Sequence, residues 1–340
     1  MDIIIPAAGL SSRFPNMRPK YTLTGHDGKI MVYSAVEPFV DKHTIHIGIL
    51  KKHDDQYDIK NLLGHEFDNK INVVVLEEET AGPADTVYQI IKKSKINLSN
   101  EIFVKDCDSF FDHTYQAGNY VCVTRFSDNG LVKCPSGKSY ITTNDQGIIQ
   151  NIVEKQIISD KFCVGGYKFE SAELFCKSFE SLSQHTNEVF VSNIIQYALN
   201  DDNVFLEKVV TNYTDVGTAE EWFDYNNKSV IFCDIDGTII KAQSKNDYNK
   251  NPVALEENVS VIKSKIKKGD QVFFVTSRPE SCRKETEKAL ACLGLENYAL
   301  IMGLKNVKRV LINDFNDANP YPRAVAVNLL RNSDSLRYFL

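Results

Sequence analysis

No two of the eight cysteines in this 340-residue chain form a Cys-x-x-Cys pair, and none falls at zinc-like spacing. That excludes a thiol metal cluster or a disulfide framework and points to reduced thiols in a cytoplasmic protein. Long apolar runs are also missing: no stretch approaches the about 20 residues a membrane helix needs, so no membrane association is expected. The start, Met1 to Leu10, has no basic flank and meets Arg13 too soon to read as a secretory signal. Positive charge is not in excess, since 39 Lys and Arg stand against 45 Asp and Glu, for a net charge of -6. Nucleic acid is therefore not an expected partner, because neutralising its phosphates takes clustered Lys and Arg. A local basic pocket for a small phosphorylated ligand stays open. No internal repeat or long low-complexity tract occurs. What is present, 43% hydrophobic and 25% charged residues, is enough for two ordinary cores.

Two places share one pattern, an apolar strand breaking into a short polar loop. The first is Ile3-Ile4-Ile5-Pro6-Ala7-Ala8-Gly9-Leu10-Ser11-Ser12-Arg13, and the second is Val230-Ile231-Phe232-Cys233-Asp234-Ile235-Asp236-Gly237-Thr238. Further strands are predicted at 44–50, 71–76, 102–105, 120–126 and 148–153, separated by polar or helix-like segments. After the second start come a helix around 258–268, a strand at 271–275, a helix at 280–293, a strand at 308–312 and, behind the loop 320–323, a last strand at 324–328. Such alternation reads as α/β with mostly parallel sheets. The boundary falls in the polar segment Asp224-Tyr225-Asn226-Asn227-Lys228, which separates domains at 1–227 and 228–340.

In the first loop, small residues after a buried strand let backbone N–H groups approach an anion, and Arg13 can grip it bidentately. By itself the loop reads as well as an ordinary strand-to-helix turn. Pro19-Lys20 adds a second point charge suited to a triphosphate. Pro6 to Phe14 followed by Pro19-Lys20 resembles the signature loop of the sugar-phosphate nucleotidyltransferases. Later blocks match in order: Glu79 to Thr86, Asp106-Cys107-Asp108, Val153-Glu154-Lys155, Val164 to Phe169, Asn187 to Ser192, and Asp215-Val216-Gly217-Thr218-Ala219-Glu220. The resemblance spans about residues 1 to 225 and implies Mg²⁺-assisted transfer of a nucleotidyl group from an NTP to a phosphorylated sugar or polyol, with release of pyrophosphate. It implies Asp108 and Asp215 as metal ligands, and Arg13 and Lys20 as catalytic residues on the phosphates. It implies Ala8, Gly9, Gly82, Glu154, Lys155 and Gly166 as substrate-binding residues. Singly, Asp108 also reads as a turn residue and Asp215 as a helix N-cap. Gln156, Tyr21 and Ala219 depart from the prolines common at those places.

In the second loop, Asp234 and Asp236 sit two apart at a strand end, the arrangement of a carboxylate nucleophile beside an acid/base. Val275-Thr276-Ser277-Arg278 ends a second strand with a hydroxyl, and Leu311-Ile312-Asn313-Asp314 a third with a carboxylate. The set resembles the haloacid dehalogenase-like (HAD) phosphatases over about residues 229 to 330. The resemblance implies Asp234 as nucleophile, Asp236 as general acid/base and Thr276 as a phosphoryl ligand. Lys305 is assigned as the neutralising lysine, with Lys308 in competition. Asp234, Asp236 and Asp314 would form the metal site, and Asn313 stands where many members carry another acid. Little room remains between Asp234 and Thr276 for an inserted cap. The expectation is thus an α/β protein of two domains, an N-terminal Rossmann-like, GT-A-like mixed sheet and a C-terminal HAD-like domain with little or no cap. It would act in the cytoplasm on small molecules, as a monomer or homo-oligomer, and feed surface polysaccharide synthesis. A polyol or amino-alcohol phosphate as cytidylyl acceptor is the enzyme alternative, and a scaffold with an inactive HAD domain the non-enzyme one.

Overall fold

The structure is a computed structural model describing residues 1–129, 132–183, 188–248, 250–313 and 324–340. The chain divides into two compact units, Met1–Asn226 and Asn227–Leu340. In the first, strand β1 (Asp2–Pro6) leads through α1 (Met31–Val36), β2 (Thr44–Leu50), α2 (Lys51–Tyr57), α3 (Ile59–Glu66), β3 (Ile71–Leu76) and α4 (Pro83–Lys93) to β4 (Ile102–Lys105). Then follow β5 (Ser109–Asp112), β6 (Asn119–Arg125), the single turn α5 (Phe126–Asn129), β7 (Ser139–Thr143), β8 (Ile149–Glu154) and β9 (Lys161–Phe169). Helices α6 (Ala172–Leu182) and α7 (Val191–Asn200), strands β10 (Phe205–Val209) and β11 (Thr211–Asp215), and α8 (Ala219–Asn226) complete it.

The main sheet runs β10-β6-β9-β4-β1-β2-β3, with β7 and β8 attached beside β9. Strands β3, β2, β1 and β4 are parallel, while β9 runs antiparallel to both β4 and β6. Because β1 is covered on both faces, Ile3, Ile4 and Ile5 are all fully buried, each contributing about 1.5–3 kcal/mol. From β1 the chain moves out to β2 and β3 on one side and returns to β4 on the other. The strand order therefore reverses at β1/β4, and ligands of open α/β sheets bind beyond the carboxyl ends of the strands at such a point. Helix α4 packs there because Pro83 opens it, Asp85 sits in its first turn, Lys92 and Lys93 in its last, and Ala84, Val87, Ile90 and Ile91 make one buried stripe. Gly48 on β2 lets it close in, since a Cβ would lie 2.6 Å from Ile90 Cδ1.

The second unit holds a parallel sheet of β12 (Val230–Asp234), β13 (Gln271–Val275) and β14 (Tyr298–Ile301), in that order, linked by α9 (Glu256–Lys267) and α10 (Arg283–Cys292). Here two expectations are corrected. Residues 308–312 form no strand: β14, which the sequence reading passed over, takes the edge of β13 opposite β12, and Val310, Leu311 and Ile312 stay exposed. Residues 324–328 form no strand either. Loop residues 320–323 lie outside the described residues. All eight cysteines are free thiols, five of them buried. Among the described residues, no helix is long and apolar enough to cross a membrane.

Candidate active site

Polar residues from both halves of the main sheet converge on an open cleft. Its walls include Arg13, Asp106, Asp108, Lys138, Glu154 and Asp215. A two-stranded ribbon brings the distant aspartates together. Strand β11 pairs antiparallel with β5 so that Asp215 lies opposite Ser109, and Val216 N–H donates to Asp108 O at 3.0 Å. Asp215 is not the helix cap. Thr218 caps α8, with its Oγ1 accepting from Glu221 N at 3.2 Å while Glu221 Oε2 accepts from Thr218 N at 2.9 Å. Beneath, Phe14, Met31, Val216 and Trp222 form a small apolar cluster that seats the Arg13 loop against α8.

Gly217 stands where the two carboxylates face one another. A Cβ there would meet Asp108 Oδ2 at 3.1 Å, Asp215 Oδ1 at 3.2 Å and Arg13 Nη1 at 3.4 Å. Lys20 Nζ donates to Asp108 Oδ2 at 2.5 Å, and Arg13 Nη2 lies 3.5 Å from the same oxygen. Burial opposes charge on Asp108, but the ammonium of Lys20 and the guanidinium of Arg13 outweigh it and hold this carboxyl well below the usual range. Lys20 is itself placed by its backbone N–H, which donates to Ser11 Oγ at 3.0 Å. Asp106 differs: burial, then the neighbouring Asp108 charge, push its carboxyl up to about 6.

Glu154, at the end of β8, accepts from Ser139 Oγ at 2.5 Å and Ser192 Oγ at 2.6 Å. Lys155 has a positive φ of 57° and lays its ammonium 4.2 Å from the ring centroid of Phe190, a cleft wall. Ala8 is buried at the start of the first loop, while Gly9 is exposed with open space where a Cβ would be. Gly82, with φ 127°, opens α4 where a Cβ would meet Val189 O at 3.0 Å, so only glycine lets this turn approach the segment ending at Phe190. Gly166 faces the core, where a Cβ would meet Phe111, Cys122 and Phe103. The neighbouring Gly165 lines the cleft instead, with φ 79° and Asp106 Oδ2 at 2.4 Å from its missing Cβ. Asn187 lies outside the described residues.

Two lysines at or beneath this cleft stand outside the blocks named from sequence. Lys138 donates to Asp215 Oδ2 and, at 3.0 Å, to Tyr213 Oη. Lys105 is fully buried beneath the Asp108 turn, and its Nζ donates to Asp106 O at 2.7 Å, Ser109 O at 2.6 Å and Ser109 Oγ at 2.8 Å. Neither stands in a recognisable motif. The one local signal was the second acid in Asp106-Cys107-Asp108.

In the second unit, Asp234 ends β12 beside Val275 of β13, and Thr276 follows directly, so both sit at the carboxyl end of the sheet. Thr276 is buried, its Oγ1 accepting from Arg278 N at 3.1 Å. Arg309 Nη2 donates to Asp234 Oδ1 at 2.9 Å. Asp236 is held by the fully buried Arg278, whose Nε and Nη2 donate to its two oxygens at 2.8 and 2.7 Å, while Tyr248 stacks on the guanidinium at 4.3 Å. Lys305 is exposed, next to Leu304, whose N–H donates to Thr276 O at 3.1 Å. Asp314 lies outside the described residues. Gly237, φ 87°, turns the loop, and the chain end covers it: Asn332 N–H donates to Gly237 O at 2.8 Å. The fully buried Asn258 donates to Thr238 O and Ser333 O and accepts from Leu336 N.

Among the described residues, no three acidic, His or Cys side chains converge as a ready metal cage. Two facing carboxylates are nevertheless hard oxygen donors of the kind Mg²⁺ uses while keeping waters and phosphate oxygens as its other ligands.

No family model matches the sequence, and no curated protein matches it. Solved structures do. A nucleoside-diphosphate-sugar pyrophosphorylase from Vibrio cholerae RC9 superposes with a TM-score of 0.56 at 19% identity, covering 65% of this chain and 98% of its own. The inositol-1-phosphate CTP transferase from T. maritima gives 0.53 at 15% identity, covering 65% and 90%. A putative glucose-1-phosphate thymidylyltransferase from Bacillus anthracis gives 0.53 at 20% identity, covering 65% and 91%. The chain thus carries the α/β fold of nucleotidyltransferases, with its large mixed sheet.

Proposed function

We propose that the first unit transfers a nucleotidyl group from an NTP to a sugar phosphate and releases pyrophosphate. The observation that carries this reading is the pair Asp108 and Asp215, drawn from distant parts of the chain to face across Gly217 beside Arg13 and Lys20. The fold of the three neighbours supports it. Attack of a phosphate oxygen on the α-phosphorus crowds negative charge at both ends, so catalysis is positioning and neutralisation. The acceptor phosphate is already ionised and needs no general base. Mg²⁺, held by Asp108 and Asp215, would supply charge neutralisation at the α-phosphate. Arg13 grips the departing pyrophosphate, Lys20 the α-phosphate, and Glu154, oriented by Ser139 and Ser192, an acceptor hydroxyl. A polyol phosphate is the second acceptor class, favoured by the likeness to the inositol-1-phosphate CTP transferase.

For the second unit we propose phosphomonoester hydrolysis of the HAD type. Asp234 attacks phosphorus and the ester oxygen leaves with a proton from Asp236; water activated by Asp236 then cleaves the aspartyl-phosphate. Asp234 and Thr276 at the carboxyl end of one sheet support this, and Arg309 is better placed than Lys305 to meet the phosphate charge beside Asp234. The two activities in one cytoplasmic chain would supply an activated precursor for surface polysaccharide.

Pyrophosphate release by the Asp234→Asn protein with Mg²⁺, across CTP, UTP, GTP, dTTP and ATP and a pool of sugar 1-phosphates and polyol phosphates, tests the transferase. Release with one nucleotide is expected, and silence across the panel would defeat the reading. Hydrolysis of p-nitrophenyl phosphate, present in the parent chain and absent in Asp234→Asn, tests the phosphatase.

A further inference from the structure

Both facing carboxylates of the cleft already carry an ammonium. Asp108 takes Lys20, and Asp215 takes Lys138, which Tyr213 also holds. All four side chains are deep in the cleft, 15 to 18% exposed, where an unpaired charge costs several kcal/mol. With Arg13 3.5 Å from Asp108 Oδ2, three cationic side chains already face the two carboxylates. A divalent cation placed on the carboxylates would add two positive charges where negative charge is already matched and would strand both lysines. A polyphosphate removes that cost by offering the lysines oxygen partners as they leave. Lysine suits such an exchange, being a point charge on a flexible four-carbon stem. Lys138 is also tied to the acceptor side of the cleft, since its carbonyl accepts from Lys155 N at 3.0 Å.

We infer that Lys20 and Lys138 take the place of a divalent cation on the two carboxylates, so that metal enters only together with a polyphosphate, which takes over the two ammoniums. Lys138 thereby becomes a second phosphate-binding cation opposite Lys20. The inference rests on the nucleotidyl-transfer reading of the same cleft and adds to it an order of binding and a residue.

The test is Mn²⁺ binding to the full chain carrying Asp234→Asn, which disables the proposed metal site of the second unit, followed by water-proton relaxation. Inorganic tripolyphosphate serves as a probe that needs no choice of base. With Mn²⁺ alone, Lys138→Met and Lys20→Met should each bind at least about tenfold more tightly than the parent, a difference of about 1.4 kcal/mol. Saturating tripolyphosphate should raise the parent's affinity by at least about tenfold and that of either variant by less. Lys138→Arg, which keeps the charge, should follow the parent. Equal affinity of parent and both variants for Mn²⁺ alone would overturn the inference, as would an equal gain from tripolyphosphate in all three. If Lys138→Met loses its fold by circular dichroism, Lys20→Met makes the same prediction at the other carboxylate. The transferase reading fails separately: coupled Mn²⁺ and tripolyphosphate binding as described, without pyrophosphate release from any NTP, would defeat that reading and leave the charge exchange standing.

Discussion

Gly217→Ala separates the chemistry of the cleft from its stability. Gly217 has no positive φ, so alanine fits the backbone. Its methyl would stand 3.1 Å from Asp108 Oδ2, 3.2 Å from Asp215 Oδ1 and 3.4 Å from Arg13 Nη1. These are ends of side chains, able to give by a few tenths of an ångström, so the folding cost should stay within about 1 kcal/mol, or about 2–4 °C in melting temperature. Function should suffer as well, because the methyl would crowd both carboxylates and Arg13 at once. A misplacement of about 1 Å in such a site costs about 10²-fold in rate, so shifts of a few tenths of an ångström should cost several-fold. Pyrophosphate release and a thermal melt on the same preparation read both quantities. Full activity in Gly217→Ala would refute placement of the reacting phosphate and its cation between Asp108 and Asp215. A large fall in melting temperature would refute the claim that this glycine serves the site and not the fold.

Three further outcomes follow from the packing. Arg278→Met strips the partner from the largely buried Asp236 and should lower the stability of the second unit by about 3–5 kcal/mol in urea titration; no change would show that the pair is not buried as described. Asn258→Ala removes two donors and an acceptor from the clasp between Thr238, Ser333 and Leu336, a loss of about 3 kcal/mol by the same titration. His113 is pushed down to about 4, chiefly by burial, then by Lys208, His43 and Lys105. The unfolded chain accepts a proton that the folded one resists, so stability is full above about pH 6.5 and falls as pH drops from there to about 4. With partial solvent access the contribution is on the order of 1–2 kcal/mol, and His113→Gln should flatten that part of the pH–stability curve.

Strands that are mostly apolar were legible: β2, β3, β4 and β13 lie where runs such as Ile71 to Leu76 and Gln271 to Val275 predict them. The ribbon of β5 and β11 was not, because its residues, Ser109, Asp112, Thr211 and Asn212 among them, carry no apolar alternation and pair only through a long chain excursion. The same physics divides the candidate site. Asp108, Asp215, Glu154, Asp234 and Asp236 stand in short patterns at strand ends, where chemistry and local sequence coincide. Lys138, Arg278 and Arg309 act through partners far away in sequence, so nothing beside them marks their role. At 308–312 the apolar run Val310-Leu311-Ile312 imitates a strand, while the shorter Tyr298–Ile301 makes the actual pairing with β13.

The central claim is that Asp108 and Asp215 act together in nucleotidyl transfer, and pyrophosphate release by Asp108→Ala and Asp215→Ala in the Asp234→Asn background, against that background itself, tests it most directly. The account predicts that each substitution lowers Mg²⁺-dependent release by at least about 10²–10³-fold, with the fold intact by circular dichroism. Release at the parent rate in either variant would contradict it.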